Sequence, residues 1–247
     1  MSIDPLPPFE RTALLLDFDG TLVDIAPHPD AVTVPPGLVD DLRRLRDRLD
    51  GALAIVTGRP IEAIDAFLGD SSWAVAGEHG AAFRHGPDND MERPHLPAAP
   101  CEWVKEAARL ADRYPGSLLE RKARGFVLHF RTAPEAGPAF HAALTDLLSG
   151  QEAFELLPGL MMWEVRPRGA DKGAAVRGLM QRPPFRERLP LFIGDDVTDE
   201  DGMAAARAMG GSGLRVDRAF GTPADVRAWL QLAAATGDWP PLVGGSR

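Results

Sequence analysis

Asp17 and Asp19 stand one residue apart directly after the apolar run Ala13-Leu-Leu-Leu16, and Gly20-Thr21 follow them. Asp is rarely buried without a partner, so these four residues are expected to lie outside the core. The partner that suits two such carboxylates is a hard cation with phosphate oxygens beside it. A turn at Gly20 would let one carboxylate coordinate a metal and attack phosphorus while the other handles a proton. A second acidic cluster, Asp195, Asp196 and Asp199, follows the apolar run Leu191-Phe-Ile193. Thr57 and Arg59 follow a third run, Leu53-Ala-Ile-Val56, and supply a hydroxyl and a guanidinium. Lys172 is expected to open the helix that precedes the second acidic cluster. Phosphoryl transfer needs charge neutralised more than new covalent machinery, and a lysine, a threonine and a metal suffice for that. Singly, each feature has a plain reading: a solvated turn, a surface lysine, a helix N-terminus enriched in acids. Their occurrence together, each where a buried run stops, is what points to chemistry.

The elements that must position these residues are legible from the hydrophobic pattern. Unbroken apolar runs of four or so residues read as strands buried on both faces of a parallel sheet, and open α/β sheets keep their sites at the C-terminal ends of such strands. Leu38, Leu42, Leu45 and Leu49 recur at helical spacing before Gly51. Ile61, Ile64 and Leu68 form a second stripe between Pro60 and Gly69, and Ala74-Val-Ala76 is a short strand leading into Gly77-Glu-His-Gly80. Residues 23–36 read as an irregular loop. Residues 85–100 are rich in turn formers and mark a domain boundary. Beyond it come a helix striped by Trp103, Ala107, Leu110, Ala111 and Tyr114, then a strand with Phe126, Leu128 and Phe130 on one face and Val127, His129 and Arg131 on the other. A helix through Phe140, Leu144 and Leu147 and strands at 154–157 and 161–165 follow, an α+β layer whose sheet faces solvent on one side. The parallel texture returns with a helix over 172–181, the strand at 191–193, a strand at 214–216 and a C-terminal helix striped by Val226, Trp229, Leu230 and Ala233.

The 247 residues allow one large domain or two small ones. A net charge of −9 without a long basic block disfavours a nucleic acid or an anionic membrane as partner. Cys101 is the sole cysteine, which excludes an internal disulfide framework and a cysteine-rich metal site, and it is expected to be partly buried. The first eleven residues lack a secretory pattern, and no apolar run approaches the roughly 18 residues of a membrane helix, so the expected location is cytoplasmic.

The ordered set Asp17-Phe-Asp-Gly-Thr21, Thr57-Gly-Arg59, Lys172 and Gly194-Asp-Asp-Val-Thr-Asp199 resembles the four motifs of the haloacid dehalogenase (HAD) phosphatases. That resemblance implies a Rossmann-like α/β core with a parallel sheet, over 1–97 and 166–247, and an inserted α+β cap domain of the C2 type over 98–165. It implies Asp17 as the nucleophile and Asp19 as general acid and base. Asp17, Asp19 through its carbonyl, Asp195 and Asp199 would be the Mg²⁺ ligands, and Thr57 and Lys172 would hold the phosphoryl group. Gly20, Thr21, Gly58, Arg59 and His79 would line the substrate. Gly77-Glu-His-Gly80, Glu120-Arg-Lys122, His129-Phe-Arg131 and Glu164-Val-Arg-Pro-Arg-Gly169 are similar to patterns of the trehalose-6-phosphate phosphatase family. This likeness implies a phosphorylated disaccharide as substrate, with Lys122, His129, Arg131 and Glu164 on the sugar hydroxyls; whether a trehalose-phosphate synthase is a partner is not readable from the sequence. Other phosphorylated glycosides, namely sucrose, mannosylglycerate or glucosylglycerol phosphate, and a non-catalytic regulatory subunit remain as alternatives.

Overall fold

The computed structural model describes residues 4–26, 28, 31–69, 73–87, 89–122 and 124–242. Parts of the expected loop at 23–36 and of the tail lie outside these residues. The chain forms two compact units, Met1–Arg93 with Asp171–Arg247, and Pro94–Ala170.

In the first unit, β1 (Thr12–Leu16) is followed by α1 (Leu38–Arg48), β2 (Leu53–Val56), α2 (Ile61–Leu68), β3 (Ala74–Gly77) and β4 (Ala82–Arg84). The second unit runs α3 (Cys101–Asp112), β5 (Leu118–Arg121), β6 (Phe126–His129), α4 (Ala136–Leu147), β7 (Phe154–Gly159) and β8 (Met162–Pro167). The chain then returns to the first unit with α5 (Lys172–Leu179), β9 (Leu189–Gly194), α6 (Asp199–Ala208), β10 (Ser212–Arg215), α7 (Val216–Ala219) and α8 (Pro223–Thr236).

The first sheet has the order β10-β9-β1-β2-β3-β4. All its pairings are parallel except β3 with β4. β1 is central, and all five of its residues are buried, the apolar run Ala13–Leu16 as a strand inside a parallel sheet requires and Thr12 with its hydroxyl donating to the Pro8 carbonyl. Leu16 pairs with both Ile55 and Ile193, which brings the ends of β1, β2 and β9 level. Helix α1 buries Leu38, Leu42 and Leu45, each such side chain contributing roughly 1.5–3 kcal/mol. Thr222 and Asp225 close a capping box at the start of α8, with Pro223 in the first turn.

The second unit is an antiparallel sheet, β5-β6-β8-β7, backed by α3 and α4. Its core comprises Phe126, Leu128, Phe140, Leu144, Phe154 and Val165 with neighbouring alanines.

Several sequence expectations change. β4 and β5 were not anticipated, because three or four residues of mixed polarity carry no clear period. Val216 opens α7 and does not close a strand, and Met161, at φ 59, sits in the β7–β8 turn. The strand with Phe126 ends at His129, so Phe130 and Arg131 lie beyond it. Cys101 is exposed, while Trp103 and Val104 of the same first turn of α3 pack against the core. Trp229 is in the core as expected, and its ring stacks on Trp239 at 4.8 Å.

Candidate active site

Asp17 follows β1 directly, and its N–H extends the sheet by donating to the Ile193 carbonyl at 2.9 Å. The chain then folds tightly: Gly20 donates to Val23 at 2.8 Å, and Leu22 and Val23 both donate to the Phe18 carbonyl. Gly20 has φ +75, and a Cβ there would lie 2.2 Å from an Asp195 carboxylate oxygen, so the turn requires a glycine. The four residues from Asp17 to Thr21 named above are more buried than the sequence suggests. Thr21 is fully enclosed and donates its hydroxyl to Asp17 Oδ2 at 3.1 Å, and Asp17 is 4% exposed. Burial is tolerated because the partner is already in the protein.

That partner is Lys172, the first residue of α5, set in place by its N-cap: Asp171 accepts from the Ala174 N–H at 2.7 Å. Lys172 is itself buried, not the surface lysine of the plain reading, and its Nζ lies 2.6 Å from Asp17 Oδ1 while also contacting Asp199 Oδ1. Asp199, the first residue of α6, is wholly buried, and its other oxygen accepts the Asp195 and Asp196 N–H groups at 3.0 Å each. This ties the acidic loop after β9 to the helix that follows it. Gly194 is needed here because a Cβ would lie 2.3 Å from Asp199 Cγ.

Two carboxylates therefore share one ammonium. Burial acts to lower the Lys172 pKa, but the charges of Asp17 and Asp199 more than offset it, and the ammonium is held charged. Asp17 is raised well above its ordinary range, first by burial and then by Asp199 and Asp195, against the opposing pull of Lys172. Asp195 is pushed up to about 6 by burial and by the neighbouring charges of Asp199 and Asp196.

Carboxylate oxygens of Asp17, Asp195 and Asp199 lie within 4.8 Å of one another. Three buried or half-buried acids with one lysine among them make an excess of negative charge, and an all-oxygen donor set is what a hard divalent cation takes. The residues thus fit Mg²⁺. The Asp19 side chain lies outside this cluster; its main-chain carbonyl is the atom the resemblance assigns to the metal.

The Asp19 carboxylate is instead gripped by Arg59, whose Nε and Nη2 donate to its two oxygens at 2.6 and 2.7 Å. Arg59 was expected to line the substrate; its bidentate pair with Asp19, across 40 positions, carries no sequence signal. Thr57 accepts the Arg59 N–H at 3.1 Å, and its backbone is stitched to the Gly77–Gly80 turn, where His79 donates to the Thr57 carbonyl. Glu78 and His79 both adopt positive φ, 51 and 55. A Cβ on Gly58 would lie 2.5 Å from His79 Nε2, so Gly58 and the imidazole are in close approach.

In the second unit, Glu120, Val127 and Glu164 form one cross-strand row. Glu120 accepts from His129 Nε2 at 2.9 Å and contacts Lys122 Nζ. The His129 hydrogen bond first, and Lys122 second, hold Glu120 down to about 2 against the effect of burial. Glu164 is raised by burial, with Arg166 and Lys122 opposing. Val127 is enclosed, so the face expected to be open to solvent is partly covered. Arg131 lies exposed in the turn after β6, apart from that row.

The profile of the trehalose-phosphatase family matches residues 15–225. The chain belongs to this family. Among its relatives is the trehalose-6-phosphate phosphatase of Escherichia coli, 35% identical over 231 residues, which cover 90% of this chain and 86% of the relative. A probable trehalose-phosphate phosphatase of Sinorhizobium fredii is 37% identical, covering 84% and 78% respectively. The C-terminal domain of the C. albicans trehalose-6-phosphate phosphatase superposes with a TM-score of 0.74 at 22% identity, over 92% of this chain and 93% of that one. Trehalose-phosphatases are phosphoric monoester hydrolases, and the HAD-type α/β core expected from the motifs is the fold observed. Among the described residues, no helix is long and apolar enough to cross a membrane.

Within this trehalose-phosphatase frame, two residues escaped the sequence reading. Glu120 stood in a quoted motif but not among the candidate site residues, although it lies two positions before Lys122, whose ammonium it contacts. Phe67, on the outer side of the α2 stripe, offered no signal at all; its ring carries the Arg59 guanidinium at 5.0 Å.

Proposed function

We propose that this chain hydrolyses trehalose 6-phosphate to trehalose and inorganic phosphate through an aspartyl-phosphate at Asp17, with Mg²⁺ as cofactor. What carries the reading is the convergence of Asp17, Lys172 and the Asp195–Asp199 loop in a member of the trehalose-phosphatase family. An Asp17 oxygen bonds to phosphorus as the ester P–O bond breaks, and the Asp19 carboxyl gives its proton to the departing sugar oxygen. Water then attacks phosphorus, passing a proton to Asp19, and the Asp17–phosphorus bond breaks to release phosphate. Lys172 and Thr57 hold the phosphoryl oxygens through both steps. Mg²⁺, held by Asp17 and Asp195 with Asp199 beside them, supplies charge neutralisation at the phosphate. Glu164, Lys122 and the Glu120–His129 pair offer both acceptors and donors, which suits sugar hydroxyls.

The test is phosphate release by the purified protein, with Mg²⁺ or with EDTA, from trehalose 6-phosphate and from sucrose, mannosylglycerate and glucosylglycerol phosphates. Trehalose 6-phosphate is expected to turn over fastest and only with the metal. Asp17→Asn is expected to remain folded and to lose turnover by at least 10³-fold, as removal of a covalent nucleophile does. Preference for another glycoside would reassign the substrate, and an active Asp17→Asn would end the nucleophile assignment.

A further inference from the structure

Asp19 must keep its carboxyl aimed at the ester oxygen through two chemical steps, yet it sits on a turn beyond a strand end and is about one-third exposed. Its orientation is set by a closed chain of contacts. Arg59 grips both oxygens at 2.6 and 2.7 Å. The Arg59 guanidinium lies over the Phe67 ring, 5.0 Å from its centroid. The Phe67 ring in turn stacks on Phe18, with centroids 5.6 Å apart and an interplanar angle of 30°. Phe18 is the fully buried residue between Asp17 and Asp19, so the chain of contacts returns to the peptide that carries the acid.

We infer that Phe67 and Arg59 are positioning residues for Asp19, with Phe67 serving as the platform that fixes the guanidinium plane. An Arg side chain has several rotatable bonds, and a bidentate grip is only as well aimed as the guanidinium that makes it. An aromatic face beneath that group, packed at its other end against a buried ring, removes the freedom to tilt. Each Asp19 oxygen retains a second lone pair for the proton it transfers, so the grip and the chemistry are compatible. The inference rests on the acid–base assignment of Asp19 made above. It goes beyond that reading by giving a residue of α2, with no expected substrate contact, a kinetic consequence.

The experiment compares kcat/KM for trehalose 6-phosphate, whose alkoxide leaving group needs a proton, with kcat/KM for p-nitrophenyl phosphate, whose phenolate does not. This parameter ends at leaving-group release and so reports the acid half of the cycle alone. Phe67→Leu is expected to lower kcat/KM on the sugar phosphate by about 3- to 30-fold with little change on the aryl ester, and Arg59→Lys to lower it on the sugar phosphate by about 10- to 100-fold. The fall on the sugar phosphate should lie in kcat, with KM unchanged. Phe67→Tyr, which keeps the ring face, should restore the wild-type ratio of the two substrates. A ratio that falls less than threefold in Phe67→Leu, or falls equally in Phe67→Tyr, overturns the inference, because a merely structural role would slow both substrates alike. Wild-type protein inactive on every phosphate ester would overturn the proposed function itself, a result distinct from an active enzyme with an unchanged ratio.

Discussion

Replacing Lys172 by Met removes the single ammonium shared by two buried carboxylates while keeping most of the side-chain volume. Asp17 and Asp199 present oxygens no more than 4.8 Å apart. At an effective dielectric constant of 20 their bare repulsion is then about 3.5 kcal/mol or more, in line with the roughly 3–5 kcal/mol that follows loss of one member of a buried ion pair. The cost has a ceiling, because a carboxyl can take up a proton. From an ordinary value near 3.8, protonating one acid at pH 7 costs about 4.4 kcal/mol, and at pH 5 about 1.6 kcal/mol. The variant is therefore expected to lose about 3–4 kcal/mol at pH 7 and less than about 2 kcal/mol at pH 5. The sign follows from linkage: an acid raised in the folded state favours folding at low pH and penalises it as pH rises. Urea denaturation at the two pH values, without metal, measures both losses. Adding Mg²⁺ at pH 7 should stabilise the variant more than the wild type, since the cation meets an uncompensated cluster. A loss under 1 kcal/mol at pH 7, or one independent of pH, would refute the account of Lys172 as the neutralising centre.

Two further outcomes follow from the same electrostatics. Because Asp195 is raised to about 6 and Asp17 above its ordinary range, and a ligand carboxyl must be ionised, Mg²⁺ affinity should fall as pH drops below about 6, by up to about tenfold per pH unit for each carboxyl that takes up a proton, measured by calorimetric titration; a flat profile from pH 7 to 5 would count against Asp195 as a ligand. Glu164→Gln should impair trehalose 6-phosphate far more than p-nitrophenyl phosphate, by about 10-fold against less than twofold in kcat/KM, if its carboxylate meets sugar hydroxyls; equal losses would remove it from recognition.

The parallel core could be read from the chain because its central strands are buried on both faces and consist there of unbroken apolar runs such as Ala13–Leu16 and Leu53–Val56. The same rule exposes the site, since Asp17 and Thr57 directly follow unbroken apolar runs and Asp195 follows the run that ends in Ile193-Gly194. Burial of the charged groups themselves could not be read: Lys172 and Thr21 are types normally found outside, and only their partners, 155 and 4 positions away, make enclosure tolerable. The Arg59–Asp19 grip was invisible for the same reason, as side-chain pairing over long separations leaves no local period. β4 and β5 escaped because Ala82-Phe-Arg84 and Leu118-Leu-Glu-Arg121 are too short and too mixed to show alternation.

The central place of β1 has a consequence for how the protein comes off the ribosome. Its neighbour β2 follows within some 40 residues, but β9 is encoded beyond the whole second unit, and residues 12–16 align with 189–193. Throughout most of translation the leading strand therefore waits with one hydrogen-bonding edge open, an invitation to mispairing with other nascent chains. Closing that gap late means Asp17 acquires its lysine and its acidic loop at the same moment as the sheet is sealed, so an incompletely synthesised chain holds the candidate site unassembled.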